Sequence, residues 1–291
     1  MGNSKSRKHA SLALGMAGAA LIAFAVLNFY LRIEPFAEWY IPIIWYGYIF
    51  VTDSLVFRFS ERSLITSKTR EFVFMLLLSV PFWLIFEAYN LFTASWFYQN
   101  YTWYIHLVDF TTIMPAVLET FSLVRVFRPF SRFDRHVKRA RRPRQVRGFK
   151  VFFALCIAAG AFSAAMPVLY PRYGFPFIWF GLFLLIDPIN YLIGAESLVA
   201  RVARGEKSFI LQLFSSGLIM GFFWEMWNYF AYPKWLYSIP LPIASIKLFE
   251  MPIVGYLGYL PFAAETLLFY ALFSSFVFDS DNPAIGIQRE S

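Results

Sequence analysis

Residues 151–170 read VFFALCIAAGAFSAAMPVLY and contain no charged side chain. A run of about 20 apolar residues is what an α-helix needs to cross the hydrocarbon core of a bilayer. Seven further segments of similar length and composition occur along the chain. The eight predicted spans cover residues 11–31, 39–57, 72–92, 107–127, 151–170, 175–195, 209–229 and 256–278. The sequence therefore predicts an all-α polytopic membrane helix bundle of about eight transmembrane helices.

The composition supports the same class. Of the 291 residues, 59% are hydrophobic, 21% are aromatic and 15% are charged. Soluble domains carry about a quarter charged residues, so a soluble enzyme, a disordered chain and a DNA-binding domain are excluded. A single cysteine, Cys156, excludes a disulfide framework and a multi-cysteine metal site. His106 and Asp109 are three residues apart but have no second copy, so we predict no metal site and no cofactor.

The basic residues orient the predicted spans. With the N-terminus in the cytoplasm and the spans alternating, only four of the 26 Lys and Arg residues fall outside, namely Arg32, Arg172, Lys234 and Lys247. This distribution follows the positive-inside rule, and it predicts that both termini are cytoplasmic. It also accounts for the net charge of +8 without any nucleic-acid partner. We expect the first span to be a retained signal anchor and the membrane to be a bacterial inner membrane.

A basic segment, residues 128–149, separates the fourth predicted span from the fifth. Basic residues near anionic lipid headgroups contribute about 1 kcal/mol each to membrane attraction. We predict that this linker lies against anionic headgroups. Two readings remain open, because the same charges could serve only to fix the topology. No sequence feature identifies a protein partner.

The chain repeats itself. Residues 86–90 read FEAYN and residues 224–228 read WEMWN. Further matches follow in the same order: Trp45-Tyr46-Gly47 with Trp179-Phe180-Gly181, Trp96-Phe97-Tyr98 with Trp235-Leu236-Tyr237, and Pro115…Glu119 with Pro261…Glu265. We therefore predict a first four-helix repeat over residues 1–127 and a second over residues 150–291. Four is an even number, so both repeats enter the membrane in the same sense and are parallel.

Seven carboxyl groups fall within the predicted spans, and no Lys or Arg lies deep enough to neutralise them. They are Asp53, Glu87, Asp109, Glu119, Asp187, Glu225 and Glu265. Ionisable groups in spans are costly and usually face the interior of a bundle. A buried carboxyl group that stays protonated can act as an acid. The repeat predicts a pseudo-symmetric site in which Glu87 lies near Glu225 and Glu119 lies near Glu265, and these four are the candidate catalytic residues.

Neighbouring residues complete the candidate site. Asn90 and Asn228 each follow a glutamate by three residues and therefore share its helix face. The candidate ligand-binding residues are Asn90, Asn228, Tyr89, Trp224, Trp227, Trp235 and Tyr237. Two structural alternatives remain open. The Glu and Asn side chains could simply join helices by hydrogen bonds, and the aromatic segments could form an interfacial belt instead of capping a cavity.

The late Pro115…Glu119 and Pro261…Glu265 pairs, with the earlier Trp96-x-Tyr98 and Trp235-x-Tyr237, resemble the lycopene-cyclase-type membrane domain of carotenoid synthesis. That domain is often duplicated within one chain, and its motif is Pro-x-Glu-Glu. Here the spacing is wider and each motif holds one glutamate. The resemblance covers the last two spans of each half. It implies acid-catalysed isomerisation of a long polyene without net redox change.

Three functions remain open from the sequence. The first is an intramembrane enzyme acting on an isoprenoid or similar lipid, with Glu225 and Glu265 as proton donor and partner, and Glu87 and Glu119 as assisting copies. The second is a proton-coupled transporter or flippase, since carboxylate chains suit proton relays. The third is a non-catalytic membrane scaffold that binds a hydrophobic ligand or a protein partner.

Overall fold

The computed structural model of the chain describes residues 2–134, 149–239 and 245–278. Within these ranges, eight helices are long and apolar enough to cross a membrane, so the protein is an integral membrane protein built as an all-α helix bundle. The predicted spans coincide with these helices apart from a few residues at their ends. The first helix begins well before residue 11.

The elements follow the same order in each half of the chain. The first half contains α1 (Gly2–Leu31), α2 (Tyr40–Ser60), α3 (Leu64–Ser67), α4 (Thr69–Thr93), β1 (Trp96–Gln99) and α5 (Trp103–Val126). The second contains α6 (Phe149–Leu169), α7 (Pro171–Gly174), α8 (Ile178–Ile193), α9 (Leu198–Arg204), α10 (Lys207–Phe230), β2 (Lys234–Tyr237), β3 (Lys247–Leu248), β4 (Met251–Pro252) and α11 (Tyr259–Val277). The second half therefore differs mainly by the added short segments α7, β3 and β4.

The packing of the helices also repeats. In the first half α1 packs on α2, α2 on α5 and α4 on α5. In the second half the corresponding helices pair in the same way: α6 packs on α8, α8 on α11 and α10 on α11. The halves meet where α5 packs on α10, where α4 packs on α11, and where β1 pairs with β2.

The strands β1 and β2 form an antiparallel pair from equivalent segments of the two halves. Trp96 lies opposite Tyr237, and Tyr98 lies opposite Trp235. The aromatic segments are thus hydrogen-bonded to each other across the boundary between the halves. This pairing is an addition to any role of these aromatic residues as a belt at the membrane interface.

Two aspartates cap short helices at equivalent places. The Asp53 carboxylate accepts hydrogen bonds from the Ile65 backbone N–H at 2.7 Å and the Ser63 hydroxyl at 2.9 Å. The Asp187 carboxylate accepts from the backbone N–H groups of Leu198 at 2.8 Å and Val199 at 3.0 Å. The first N–H groups of a helix have no partner within the helix, and carboxylate acceptors satisfy them. These two acids therefore have a structural role at the starts of α3 and α9.

Close packing joins α1 to the rest of the first half. A Cβ atom built on Gly18 would lie 2.7 Å from the Gly47 carbonyl oxygen, and one on Gly47 would lie 2.9 Å from the Gly18 carbonyl oxygen. Small residues let membrane helices approach in this way. The first helix is therefore packed as part of the bundle.

Most of the basic linker, residues 135–148, lies outside the described residues. At the beginning of the linker, residues Ser131–Asp134 form a short 3₁₀ helix. The Asp134 carboxylate accepts a hydrogen bond from the Ser208 backbone N–H at 2.9 Å at the start of α10. The domain boundaries at residues 127 and 150, and the lipid-binding role of the linker, stay predictions.

Candidate functional site

An aromatic cavity lies between the two halves of the bundle. Both halves contribute to its wall, and the largest contribution comes from indole rings. The six tryptophans that line it are Trp45, Trp83, Trp96, Trp179, Trp224 and Trp235. Tyrosines from both halves add hydroxyl groups, namely Tyr98, Tyr101, Tyr237 and Tyr259. A concave, mostly apolar cavity with a few polar groups is the usual form of a small-molecule site.

Glu87 lies behind the first-half wall and contacts three residues that line it, Trp83, Trp96 and Tyr98. We call these four residues the Glu87 cluster. One oxygen of Glu87 accepts hydrogen bonds from the indole N–H of Trp83 at 2.8 Å and that of Trp96 at 3.1 Å. The Tyr98 hydroxyl donates to the same oxygen. Three cavity-lining side chains therefore converge on one carboxyl group that is not itself part of the wall.

Glu225 lies behind the second-half wall, which contains Trp235, Tyr237 and Tyr259. We call these four residues the Glu225 cluster. Glu225 has no exposed surface. Its Oε1 accepts hydrogen bonds from the Tyr237 hydroxyl at 2.6 Å and from the Tyr259 hydroxyl. The Trp235 indole N–H donates to the Tyr237 hydroxyl at 2.8 Å. Glu225 therefore reaches the cavity through two phenol groups.

The two strand tyrosines keep their protons. Burial raises the pKa of Tyr98 and of Tyr237 well above its usual value, and the neighbouring Glu87 and Glu225 raise it further. A protonated phenol can both donate and accept a hydrogen bond. Each tyrosine can therefore donate to its glutamate while its oxygen accepts from another group.

The asparagines hold the strands against the glutamate-bearing helices. The Asn228 amide accepts from the Trp235 backbone N–H at 2.9 Å and donates to the Trp235 carbonyl at 2.8 Å. Asn90 makes the same pair with Trp96, at 3.1 Å and 2.8 Å. Both asparagines therefore position the strand residues and do not line the cavity.

Glu119 and Glu265 are completely buried but lie away from the cavity wall. Glu119 lies beside Asp53 of α2. Glu265 accepts a hydrogen bond from the Phe183 backbone N–H of α8 at 3.3 Å. Each of these acids is therefore packed against a neighbouring helix of its own half, and their catalytic assignment stays a prediction.

The predicted aromatic residues take different places. Trp224, Trp235 and Tyr237 line the cavity. Trp227 lies outside the wall and packs edge-on against Trp45, with ring centroids 4.7 Å apart. Tyr89 is half-buried and also lies outside the wall.

Several lining residues were not among the predicted site residues. Trp45 and Trp179 belong to the repeated Trp-aromatic-Gly motif, which was the available signal for them. Asp109 also lines the cavity; the sequence places it among the carboxyl groups within the spans and three residues after His106, but not in the predicted site. Among the described residues, no three His, Cys, Asp or Glu side chains form a group that could hold a metal ion.

The chain was compared with models of protein families, with curated proteins and with solved structures, and none of them matches it.

Proposed function

We propose that the protein is an intramembrane enzyme that binds an isoprenoid or a similar unsaturated lipid in the aromatic cavity and isomerises it by acid catalysis. The observation that carries the proposal is the Glu225 cluster, in which a fully buried carboxyl group contacts the cavity through two phenol groups. Buried acids of this kind can move protons in a water-poor site.

The proposed chemistry is a balanced proton transfer. A lining phenol turns its O–H from Glu225 to the ligand and gives its proton to one carbon of a ligand double bond, while the Glu225 carboxylic acid donates its own proton to the phenol oxygen. The π electron pair forms the new C–H bond, and the adjacent carbon becomes electron-poor. Loss of a proton from the next carbon returns an electron pair to the ligand as a shifted double bond and reprotonates the phenol–glutamate pair. The overall reaction is an isomerisation without redox change.

The lining supports this chemistry because it is aromatic. The face of an indole ring attracts positive charge, and the attraction grows when water is excluded, reaching about 2 kcal/mol or more. Six indole rings around one cavity therefore favour an electron-poor carbon. The same rings offer an apolar surface to a polyene chain.

We further propose a bacterial inner membrane as the location, with both termini cytoplasmic, on the basis of the distribution of Lys and Arg. Cysteine labelling of introduced terminal residues in intact cells would test this orientation. Labelling by a membrane-impermeant reagent from outside would overturn it.

The test of the enzyme proposal is mass spectrometry of the small molecules that co-purify with the protein. Wild type, Glu225→Gln and Glu71→Gln are compared; the last changes a buried acid that does not line the cavity. We expect one unsaturated apolar lipid to be enriched in Glu225→Gln only, because the stalled enzyme retains its substrate. Ordinary phospholipids alone, identical in all three samples, would overturn the proposal in favour of transport or a scaffold.

A further inference from the structure

Asp109 is the acid that the cavity wall itself contains, among the residues that the structure describes. It lies on α5 and is only 8% exposed. Neither of its carboxyl oxygens has a hydrogen-bond partner of ordinary geometry in the described ranges, although the Tyr101 hydroxyl faces it. A buried polar group without partners is rare in native proteins and calls for a specific explanation.

Aromatic residues with polar groups lie near Asp109 on the first-half side of the cavity. His106, one turn earlier on α5, also lines the cavity. Its ring lies 4.1 Å from that of Tyr98 and 4.3 Å from that of Tyr101, measured between centroids. Tyr101 therefore contacts the His106 ring and also faces the Asp109 carboxyl group.

The second half has no acid at the equivalent place. The offset that aligns Pro115 with Pro261 aligns Asp109 with Gly255, and both of these positions line the cavity. The wall is therefore asymmetric, with a carboxyl group on the first-half side and a residue without a side chain on the other. A ligand bound in this cavity would therefore contact the Asp109 carboxyl group from one side only, and this contact would fix the orientation of the ligand.

We propose that the Asp109 carboxylate is the counter-ion of a positively charged atom in the bound ligand. The indole rings of the cavity wall surround the ligand. This inference rests on the proposed function and deepens it, because the positive atom is the electron-poor carbon of the proposed isomerisation. A carboxylate and aromatic faces attract positive charge together, and both act more strongly where water is excluded. A buried carboxyl group on the cavity wall, with the Tyr101 hydroxyl as its close polar neighbour, is suited to this role.

The experiment uses two probes of equal shape. One is an isoprenoid chain that ends in a dimethylamino group, which carries positive charge when protonated. The other is the same chain ending in an isopropyl group, which is neutral. Dissociation constants are measured by tryptophan fluorescence in detergent micelles for wild type, Asp109→Asn and Glu71→Gln. Glu71 is the matched control, because it is as buried as Asp109 but does not line the cavity.

We expect wild type and Glu71→Gln to bind the amine at least about tenfold more tightly than its neutral analogue, which corresponds to about 1.4 kcal/mol. Asp109→Asn should lose this preference while its affinity for the neutral chain is unchanged. Equal preference in wild type and Asp109→Asn would overturn the role of Asp109 and leave the proposed function standing. Failure of wild type to bind either chain would overturn both.

A second measurement on the wild-type protein covers the case in which Asp109→Asn does not fold. An apolar carbodiimide reacts with carboxyl groups in membranes, and peptide mapping locates the modified residue. We expect the amine probe to protect Asp109 and not Glu71, and the neutral probe to protect Asp109 less. Modification of Asp109 at the same rate with and without the amine would contradict the proposal.

Discussion

The Glu87 cluster and the Glu225 cluster occupy equivalent places, yet they hold their acids differently. Glu87 accepts from two indole groups and one phenol, whereas Glu225 accepts from two phenols. An indole N–H can only donate, but a phenol can donate and accept. The duplicated framework therefore carries two acids of different capability, and only Glu225 has two groups that could relay a proton to the cavity.

The difference arises at one position, where the first half has a large side chain and the second half has a glycine. The offset between Glu87 and Glu225 aligns Trp83 with Gly221. A Cβ atom on Gly221 would overlap the ring of Tyr259, so the missing side chain makes room for that phenol. The first half has a tryptophan in this place, and it donates to Glu87 instead. The comparison shows that the two halves keep the same backbone arrangement while their side chains have diverged at the cavity.

The largest expected change in unfolding stability is at Phe86, and it should exceed the change at the equivalent residue, Trp224. Phe86 is fully buried and its ring stacks on that of Trp179, with centroids 5.5 Å apart, whereas Trp224 lines the cavity. Phe86→Ala should lower the free energy of unfolding by about 3 kcal/mol or more, because it leaves a void in packed protein. Trp224→Ala should cost less stability, since it enlarges a space that is already open.

Reversible unfolding in mixed detergent micelles would measure both changes. Phe92→Ala is the control on the same helix, because Phe92 is 53% exposed and should change stability little. If Trp224→Ala destabilised the protein more than Phe86→Ala, the distinction between a packed first-half position and an open second-half position would be wrong.

A smaller effect is expected at the two asparagines. Asn228 is fully buried and holds both backbone groups of Trp235, whereas Asn90 is only half-buried. Loss of the amide leaves buried backbone groups without partners, at about 1–3 kcal/mol for each group. We expect Asn228→Ala to lower unfolding stability by about 3 kcal/mol and Asn90→Ala by roughly half as much, because water can reach the latter site. Equal losses in the same unfolding assay would show that both strands are held equally.

The smallest effect concerns the ion pairs near the starts of α3 and α10. Burial opposes the ionisation of Glu206, but hydrogen bonds from Arg204 and Arg201 outweigh it and lower its pKa. A group whose pKa is lower in the folded state than in the unfolded state adds stability at a pH above its unfolded-state pKa. This stability is lost as the pH falls through the folded-state pKa. In the first half, the Lys8–Glu61 pair is exposed and should contribute little.

Acid unfolding would test this difference. Between about pH 5 and pH 3, wild type should lose stability relative to Glu206→Gln by at most about 1 kcal/mol, since the pair is only half-buried. Glu61→Gln should follow the wild-type curve. A pH dependence that is the same in wild type and Glu206→Gln would contradict the assignment.

The sequence could predict the features that repeat and the features that depend on apolar length. The eight helices follow from uninterrupted apolar runs such as residues 151–170, and the two glutamate–asparagine pairs follow from the FEAYN and WEMWN motifs. It could not predict which side chains face the cavity, because this depends on how the helices pack. The glutamates lie behind tyrosines that follow them by about a dozen residues, on strands without a strong pattern of their own.

Asp109 shows the limit most clearly. A search for duplicated acids passes over it, since its counterpart is Gly255. The signal was the difference between the halves and not their likeness. At a site between two repeats, the position that has lost its symmetry is as informative as the positions that keep it.

The register of the strand pair has a consequence for the origin of the chain. Trp96 and Trp235 are equivalent residues, as are Tyr98 and Tyr237, and each tryptophan lies opposite the tyrosine of the other strand. This reciprocal pattern is the one that two identical subunits form about a two-fold axis. A half-length ancestor could therefore have made the same contact as a homodimer. Its two walls would have been identical, so a carboxyl group on one wall and a glycine at the equivalent place on the other require two copies that have diverged in sequence.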